Sequence, residues 1–327
     1  MDFQLKQEVI QSELFKGKCG GQFNSAEYPY VLREEHRKEN LYTDIADSAI
    51  KYFKENRIVW WRGKDGLPTN HTLSSQVACL NHLFWIRDNQ KAATSVLKQI
   101  DKDFVTIKFP NSDLNSENYV EFELNGYDKS QGNLLGEKGS ARGANTTSID
   151  AAMLAMKDNK IILIFIEWKY VEHYHRRIDA LKAEPKYEVQ KKTYKNLLLS
   201  DDSPIILDKI RNKLNLDFDL AYQKFSVEPF YQLMRQTLLA WRLSCVKRYG
   251  AEDYLHIHVI PKDNKKLLLC KTSPEITEGY SDIRSAWAAQ LKNPAKYIHM
   301  DPSELIGHAA FEYNKGLYEY LNNRYWR

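Results

Sequence analysis

The spacing of apolar positions changes period along the chain, and the change divides it. Ile45, Ala49, Tyr52 and Phe53 recur at helical spacing over Tyr42 to Asn56. A second helix is predicted from Leu73-Ser74-Ser75-Gln76, where a serine can cap the first turn, through Cys79, Leu80, Leu83, Phe84 and Ile86. Gln90 to Ile100 continues the pattern, so the N-terminal third reads as helical. Val105-Thr106-Ile107 and Tyr119 to Leu124 then read as strands, the second with clean alternation. Asn125 to Thr147 is polar and rich in Gly, Ser and Asn; a loop that long inside a domain is functional or disordered. Two strands, Ser148 to Met156 and Lys160 to Tyr170, follow around Lys157-Asp158-Asn159-Lys160.

Beyond Tyr170 the pattern is helical and charged through Leu199. Glu228 to Arg242 is an amphipathic helix with Phe230, Leu233, Met234, Leu238 and Trp241 as its apolar stripe. Tyr254 to Ile260 reads as a strand, and Leu305 to Trp326 as helical and aromatic-rich. Helices flanking a small mixed sheet predict an α/β (α+β) protein.

Composition narrows the class without naming a function. The 327 residues are 43% hydrophobic and 28% charged, with a formal net charge of +4. These values exclude a disordered tail and a basic coat for nucleic acid. A pI near 8.6 suits a polyanionic partner without requiring one. The longest apolar run, Ile161 to Ile166, is too short to cross a bilayer, so no membrane partner is expected. The first residues lack the basic and apolar segments of a secretory signal, and a cytoplasmic location is expected. The four cysteines form no C-x-x-C pair and read as free thiols.

The hairpin carries the chemistry. With Asp158 and Asn159 as the turn, Lys157 pairs with Lys160, and the same register places Asp150 opposite Glu167. Alternation puts Glu167 and Lys169 on one face and Ile166 and Trp168 on the other. Opposed like charges repel, and these follow a strand that reads as buried on both faces. A hard divalent cation is one compensation, since Mg²⁺ takes one or two carboxylates with phosphate oxygens and water. Such an ion polarises a phosphoryl oxygen and acidifies its water, and Lys169 could orient that water or stabilise transition-state charge. Taken alone, the short pattern also fits two exposed carboxylates with Lys169 as a surface ion-pair partner. The register and the buried strand leading into it favour the site.

Ser148-Ile149-Asp150-Ala151-Ala152 followed by Phe165-Ile166-Glu167-Trp168-Lys169-Tyr170 resembles the signature of the PD-(D/E)XK nuclease superfamily. Ile58-Val59-Trp60-Trp61, Leu73 to Gln76 with Leu80-Asn81-His82-Leu83, Trp168 to Glu172 and Pro229 to Gln236 further resemble a bacterial restriction-endonuclease group within it. The resemblance spans roughly residues 40 to 260. It implies an αβββαβ core over residues 71–262, with residues 1–70 a helical extension packed on it and 263–327 a mainly helical one. It also implies Mg²⁺-dependent phosphodiester cleavage, with Mn²⁺ as a substitute. Asp150 and Glu167 would hold the metal, the Trp168 carbonyl would complete its coordination, and Lys169 would act beside it. Position 149 is isoleucine where the superfamily name has proline. Many members carry an acid on the preceding helix. Leu73 to Arg87 has none, Gln76 and Asn81 being the nearest substitutes, so one-metal catalysis is expected.

Accessory candidates are less specific. Gln232, Arg235 and Gln236 share one strip of their helix and either face the hairpin or form a solvated surface. Glu172 either joins the site or caps the next helix. Lys129, Lys138 and Arg142 in the long loop could touch DNA backbone, although Asp128 and Glu137 nearly cancel their charge. His256 and His258 lie on one strand face without the third histidine of a histidine-triad hydrolase, and His173 and His175 read as an exposed polar stretch. Gly136 to Gly143 lacks the ending of a phosphate loop, so no nucleotide cofactor is expected. The leading expectation is an endonuclease acting on double-stranded DNA, of restriction or defence type and able to work as a homodimer. The alternatives are a silent nuclease-like module that only binds nucleic acid or protein, and a nuclease acting on RNA or single-stranded ends.

Overall fold

The computed structural model describes residues 2–110, 118–128, 130–139, 146–174, 185–207 and 217–327. Helix α1 (Phe3–Leu14) is followed by a hairpin of β1 (Cys19–Phe23) and β2 (Ala26–Leu32), turning at Asn24 and Ser25 with φ of 50° and 69°. The N-terminal third is therefore not wholly helical, as its pattern suggested. The β-prone Tyr28, Tyr30 and Val31 sit on a strand too short to show a period. Helices α2 (Thr43–Glu55), α3 (Ser75–Leu83) and α4 (Gln90–Lys98) follow where predicted, and Ser74 caps α3 by accepting from Val77 N–H at 3.4 Å.

Next come β3 (Val105–Ile107) and β4 (Glu121–Asn125). Burial does not alternate along β4, where Glu121 to Leu124 are all buried, and Glu123 holds a left-handed φ of 52°. Part of the long loop is ordered by β5 (Tyr127–Asp128) paired with β6 (Gly132–Asn133). The central hairpin is β7 (Ser148–Lys157) and β8 (Lys160–Trp168), with Lys157 opposite Lys160 and Ala151 opposite Ile166. Its turn residues Asp158 and Asn159 have φ of 50° and 59°. That left-handed pair matches the twist of a two-residue hairpin, and Asp and Asn tolerate it.

The longer helices that follow among the described residues are α5 (Pro185–Leu199), α6 (Phe218–Phe225), α7 (Phe230–Cys245) and, nearer the C-terminus, α8 (Pro302–Tyr313). The helical pattern expected directly after Tyr170 does not begin there, since residues 171–174 are non-helical. Between α7 and α8 lie β9 (Asp253–Val259) and β10 (Tyr297–Met300), the latter a strand inside the stretch expected to be mainly helical. β9 runs parallel to β8, and β10 runs parallel to β9. β3 and β4 both pair antiparallel with the other edge of β7, completing a six-stranded mixed sheet. With other elements interposed, α3, β4, β7, β8, α7 and β9 follow one another in the αβββαβ order expected of the core.

The sheet is covered on both faces. Ala151, Met153, Ala155, Ile164 and Ile166 pack with α2, α3, α4 and α8, while Ala152, Leu154, Leu163 and Phe165 pack with α5, α6 and α7. The buried stripe of α7 includes Phe230, Leu233, Met234 and Leu238 as predicted, but Gln236 and Thr237 are also buried and Trp241 is only half-buried.

The two ends of the chain meet on Arg324, which is fully buried. Its guanidinium donates to Gln11 Oε1 (3.0 Å), to the carbonyls of Asn40 (2.7 Å) and Thr72 (3.2 Å), and to Asn40 Oδ1 and Tyr320 Oη. Removing it would leave several buried acceptors unmatched, which is costlier than the net value of the bonds. Arg324→Ala is expected to lose about 3 kcal/mol or more of stability. Urea unfolding would measure this, and a loss within the scatter of surface substitutions would show that the network does not hold the ends.

Candidate active site

Glu167, at the end of β8, faces α7, where Gln236 reaches it, while Asp150 sits where β7 breaks its alternation, Ile149 and Ala152 packing on the α7 side and Ala151 on the other. Lys169 follows β8 and is fixed through its N–H, 2.8 Å from the Val259 carbonyl. Its ammonium donates to Glu167 Oε1 at 2.6 Å and to Gln232 Oε1 at 2.7 Å. The other Glu167 oxygen accepts from Gln236 Nε2, and Asp150 Oδ2 accepts from Trp168 N–H at 2.7 Å. Glu167 is 2% exposed and Lys169 6%. One turn of hairpin, one strand end and two positions of α7 thus hold the group together.

A further carboxylate was missed in the sequence. The register of β4 on β7, from Phe122 opposite Ala151 to Leu124 opposite Ile149, sets Glu123 against Asp150. Its carboxylate accepts from Gln76 Nε2 at 2.7 Å and Ser148 Oγ at 3.0 Å. Glu123, Asp150 and Glu167 thus occupy successive positions across three strands. The acid many members carry on α3 is absent, and a strand supplies a carboxylate in its neighbourhood instead. The signal available was Glu121 and Glu123 alternating with Val120 and Phe122 in a strand preceding Asp150.

The electrostatics follow from burial and crowding. Burial, then repulsion from Glu167 and Glu123, hold the Asp150 carboxyl well above the usual range, against the opposite pull of Lys169 and Trp168 N–H. Burial works against the charge of Lys169, yet Glu167 foremost, with Tyr174, Glu172 and Asp150, holds its ammonium well above the ordinary lysine value. Burial likewise raises Glu228, whose Oε2 accepts from Gln232 N–H at 3.1 Å. His258, opposite Glu167 on β9, is kept neutral by burial and then by Lys169.

Among the described residues no three His, Cys, Asp or Glu side chains gather into a ready cage for a metal. A hard cation that keeps its waters needs only one or two carboxylates. The Asp150 carboxyl, raised first by burial and then by Glu167 and Glu123, and the buried Gln236 Oε1, which has no hydrogen-bond partner, leave room for a cation among these oxygens. The donor chemistry fits Mg²⁺ on these grounds.

Asp150, Glu167 and Lys169 line one cleft of about 550 Å³ together with Gln76, Glu172 and Gln232. Glu172 also accepts from Tyr170 N–H at 2.6 Å. Gln236 lies behind Glu167, so the strip expected to be shared by Gln232, Arg235 and Gln236 is not a solvated surface. Arg235 turns away, donating to Thr147 Oγ1 at 3.2 Å with its guanidinium 4.5 Å from the Tyr231 ring centre. Asn81 belongs to a separate network with Asn40, Tyr42 and Tyr325. Lys138 is exposed and outside the cleft lining, while Lys129, Arg142 and His175 lie outside the described residues.

A mixed sheet flanked by helices is compatible with a restriction-endonuclease-like core. The chain belongs to the family described as Restriction Endonuclease associating with ARP, which matches residues 5–326. No curated protein and no solved structure matches it. The family supports a nuclease-like role. No helix among the described residues is long and apolar enough to cross a membrane.

The raised Asp150 carboxyl has a stability consequence. A carboxyl whose folded pKa exceeds its unfolded one costs stability as pH rises from the unfolded value, near 3.9, towards the folded value. Asn at this position keeps an acceptor for Trp168 N–H and carries no charge. With EDTA present, Asp150→Asn is therefore expected to melt above wild type at alkaline pH, with the gain fading to nothing below about pH 4. Thermal melts across pH would show it; equal melting throughout would mean that Asp150 bears no such penalty.

Proposed function

We propose that this protein is a Mg²⁺-dependent endonuclease hydrolysing DNA phosphodiester bonds, of restriction or defence type, with double-stranded DNA as its substrate. The observation that carries the reading is the meeting of Asp150 and Glu167 just past the Ala151–Ile166 pair of neighbouring strands, with the Lys169 ammonium 2.6 Å from Glu167, in an open cleft.

Asp150 and Glu167 would hold the ion with help from the Trp168 carbonyl, and Glu123 stands close enough in register to share the load. The bound ion, Mg²⁺ or Mn²⁺, supplies Lewis acidity towards a phosphoryl oxygen and a more acidic water. The chain's own residues do the positioning. Gln236 fixes the Glu167 carboxylate, Trp168 N–H fixes Asp150, and Gln232 aims the lysine. Held protonated, Lys169 acts as a donor to charge developing on the phosphoryl oxygens or to the attacking water, and not as a base.

A plasmid-nicking assay with Mg²⁺, Mn²⁺ or EDTA tests this reading. Wild type is expected to nick only with metal. Asp150→Ala is expected to abolish nicking, and Lys169→Ala to slow it by about 10²–10³-fold, the usual cost of removing one transition-state donor. Failure to cleave plasmid, single-stranded DNA and RNA, with no metal binding by calorimetry, would leave a silent nuclease-like module.

A further inference from the structure

The segment before α3 alternates in and out of the protein. Ile58 and Trp60 are buried, Trp60 stacking on Phe53 at a ring separation of 3.8 Å, whereas Val59 is 55% exposed and Trp61 47%. Burying Trp60 anchors the segment; nothing in the core requires Trp61. Its indole is braced by Phe23, ring centres 5.7 Å apart, with the His71 ring edge-on at 6.0 Å. His71 is held down to about 4 by burial, so this wall is uncharged at neutral pH. Arg57, Arg62 and Lys64 neighbour Trp61 in the sequence, all exposed, with Lys64 3.9 Å from Glu34 Oε2.

The loop is built tightly and tied to the carboxylates. Arg57, Arg62 and Asp65 hold φ of 53°, 52° and 53°, a conformation that non-glycine residues rarely adopt. A Cβ on Gly63 would lie 2.3 Å from Trp60 Cβ and 2.5 Å from the Leu67 carbonyl, so only glycine fits there. Gln76 accepts from Trp61 N–H at 2.9 Å while donating to Glu123 at 2.7 Å. Trp61 and Val59 line the same cleft as Asp150, Glu167 and Lys169.

We infer that Trp61 is a base-stacking platform, and that the DNA nucleotide beside the scissile phosphate is bound unpaired with its base on this indole. The inference rests on the nuclease reading of the cleft. Within a duplex each base face is covered by its neighbours and only the groove edges are open. An exposed indole in the cleft therefore finds a π-face only if a nucleotide leaves the stack, and such stacking tolerates any base. The exposed Arg57 and Arg62 nearby in the sequence suit the strand's phosphates. Gln76 becomes a positioning residue that sets the platform at a fixed distance from the carboxylates.

The test measures DNA binding by fluorescence anisotropy with Mg²⁺, in the Asp150→Ala background that is expected to leave the DNA uncut. The probes are a short perfect duplex, the same duplex with a one-nucleotide bulge, and the single strand. Bulged and single-stranded DNA are expected to bind more tightly than the perfect duplex. Adding Trp61→Ala is expected to weaken them about five- to a hundredfold, while Trp61→Phe stays close to the parent. Because Trp61 is exposed, its melting temperature is expected to be unchanged by either substitution. Equal binding of all probes by the parent and the Trp61→Ala protein, with wild type still nicking plasmid, overturns the platform and leaves the nuclease standing. No DNA binding, together with no nicking by wild type, overturns both.

Discussion

The antiparallel register of β7 on β8 is the constraint on which the rest of the candidate site depends. A slip of one residue would send every side chain of one strand to the opposite face of the sheet. Here neither face can accept the exchange, since both are packed: Met153 and Ile164 under one helical layer, Leu154 and Leu163 under the other. The left-handed turn at Asp158 and Asn159 allows one pairing, and the apolar run Ile161 to Ile166 enforces it by burial on both sides. The polar residues at the far end are carried to their positions by apolar ones. That is why a pair of opposed carboxylates, unfavourable by itself, survives there.

What offsets their repulsion comes from outside the hairpin. Lys169 lies one residue beyond the end of β8, and its backbone is held by β9. The amides of Gln232 and Gln236 descend from α7, one to the lysine and one to Glu167. Gln76 approaches from α3 and holds Glu123. Amides suit these positions because they bind carboxylate or ammonium without adding charge. The cleft is left with four carboxylates, Glu123, Asp150, Glu167 and Glu172, to one ammonium, and burial together with Glu167 and Glu123 raises the Asp150 carboxyl.

Local patterns made much of this legible. The hairpin, its turn and the Asp150–Glu167 register follow from a two-residue period and a two-residue loop, both short-range properties of the chain. The cap of α3 and most of the apolar stripe of α7 are equally local. Glu123 was not legible, because it reaches the site through the pairing of β4 with β7, across a long polar loop, and from a left-handed residue that breaks the strand's alternation. β10 escaped notice because a four-residue edge strand, Tyr297–Met300, has no period to detect. The β1–β2 hairpin escaped for a related reason, its first strand containing Gly20 and Gly21. Whether Gln236 faced solvent or the hairpin was undecidable from helical spacing alone, and packing against β8 decided it.

The state of Lys169 limits the chemistry open to this arrangement. A lysine buried among apolar groups loses its proton readily and can serve as a base. Lys169 is as deeply buried, but Glu167 touches it and Asp150 and Glu172 stand near, so attraction outweighs desolvation and the ammonium persists. Asp150 is the converse case, a carboxyl that the same surroundings keep from ionising. A cation entering the cleft would reverse the second effect, drawing the proton from Asp150, and would relieve the first only in part, because Gln232 and Glu167 still hold the lysine. The two groups therefore respond differently to the same charge. On the proposed metal-dependent reading, Asp150 would be the residue whose ionisation follows the cation, and Lys169 the one whose charge stays beside it.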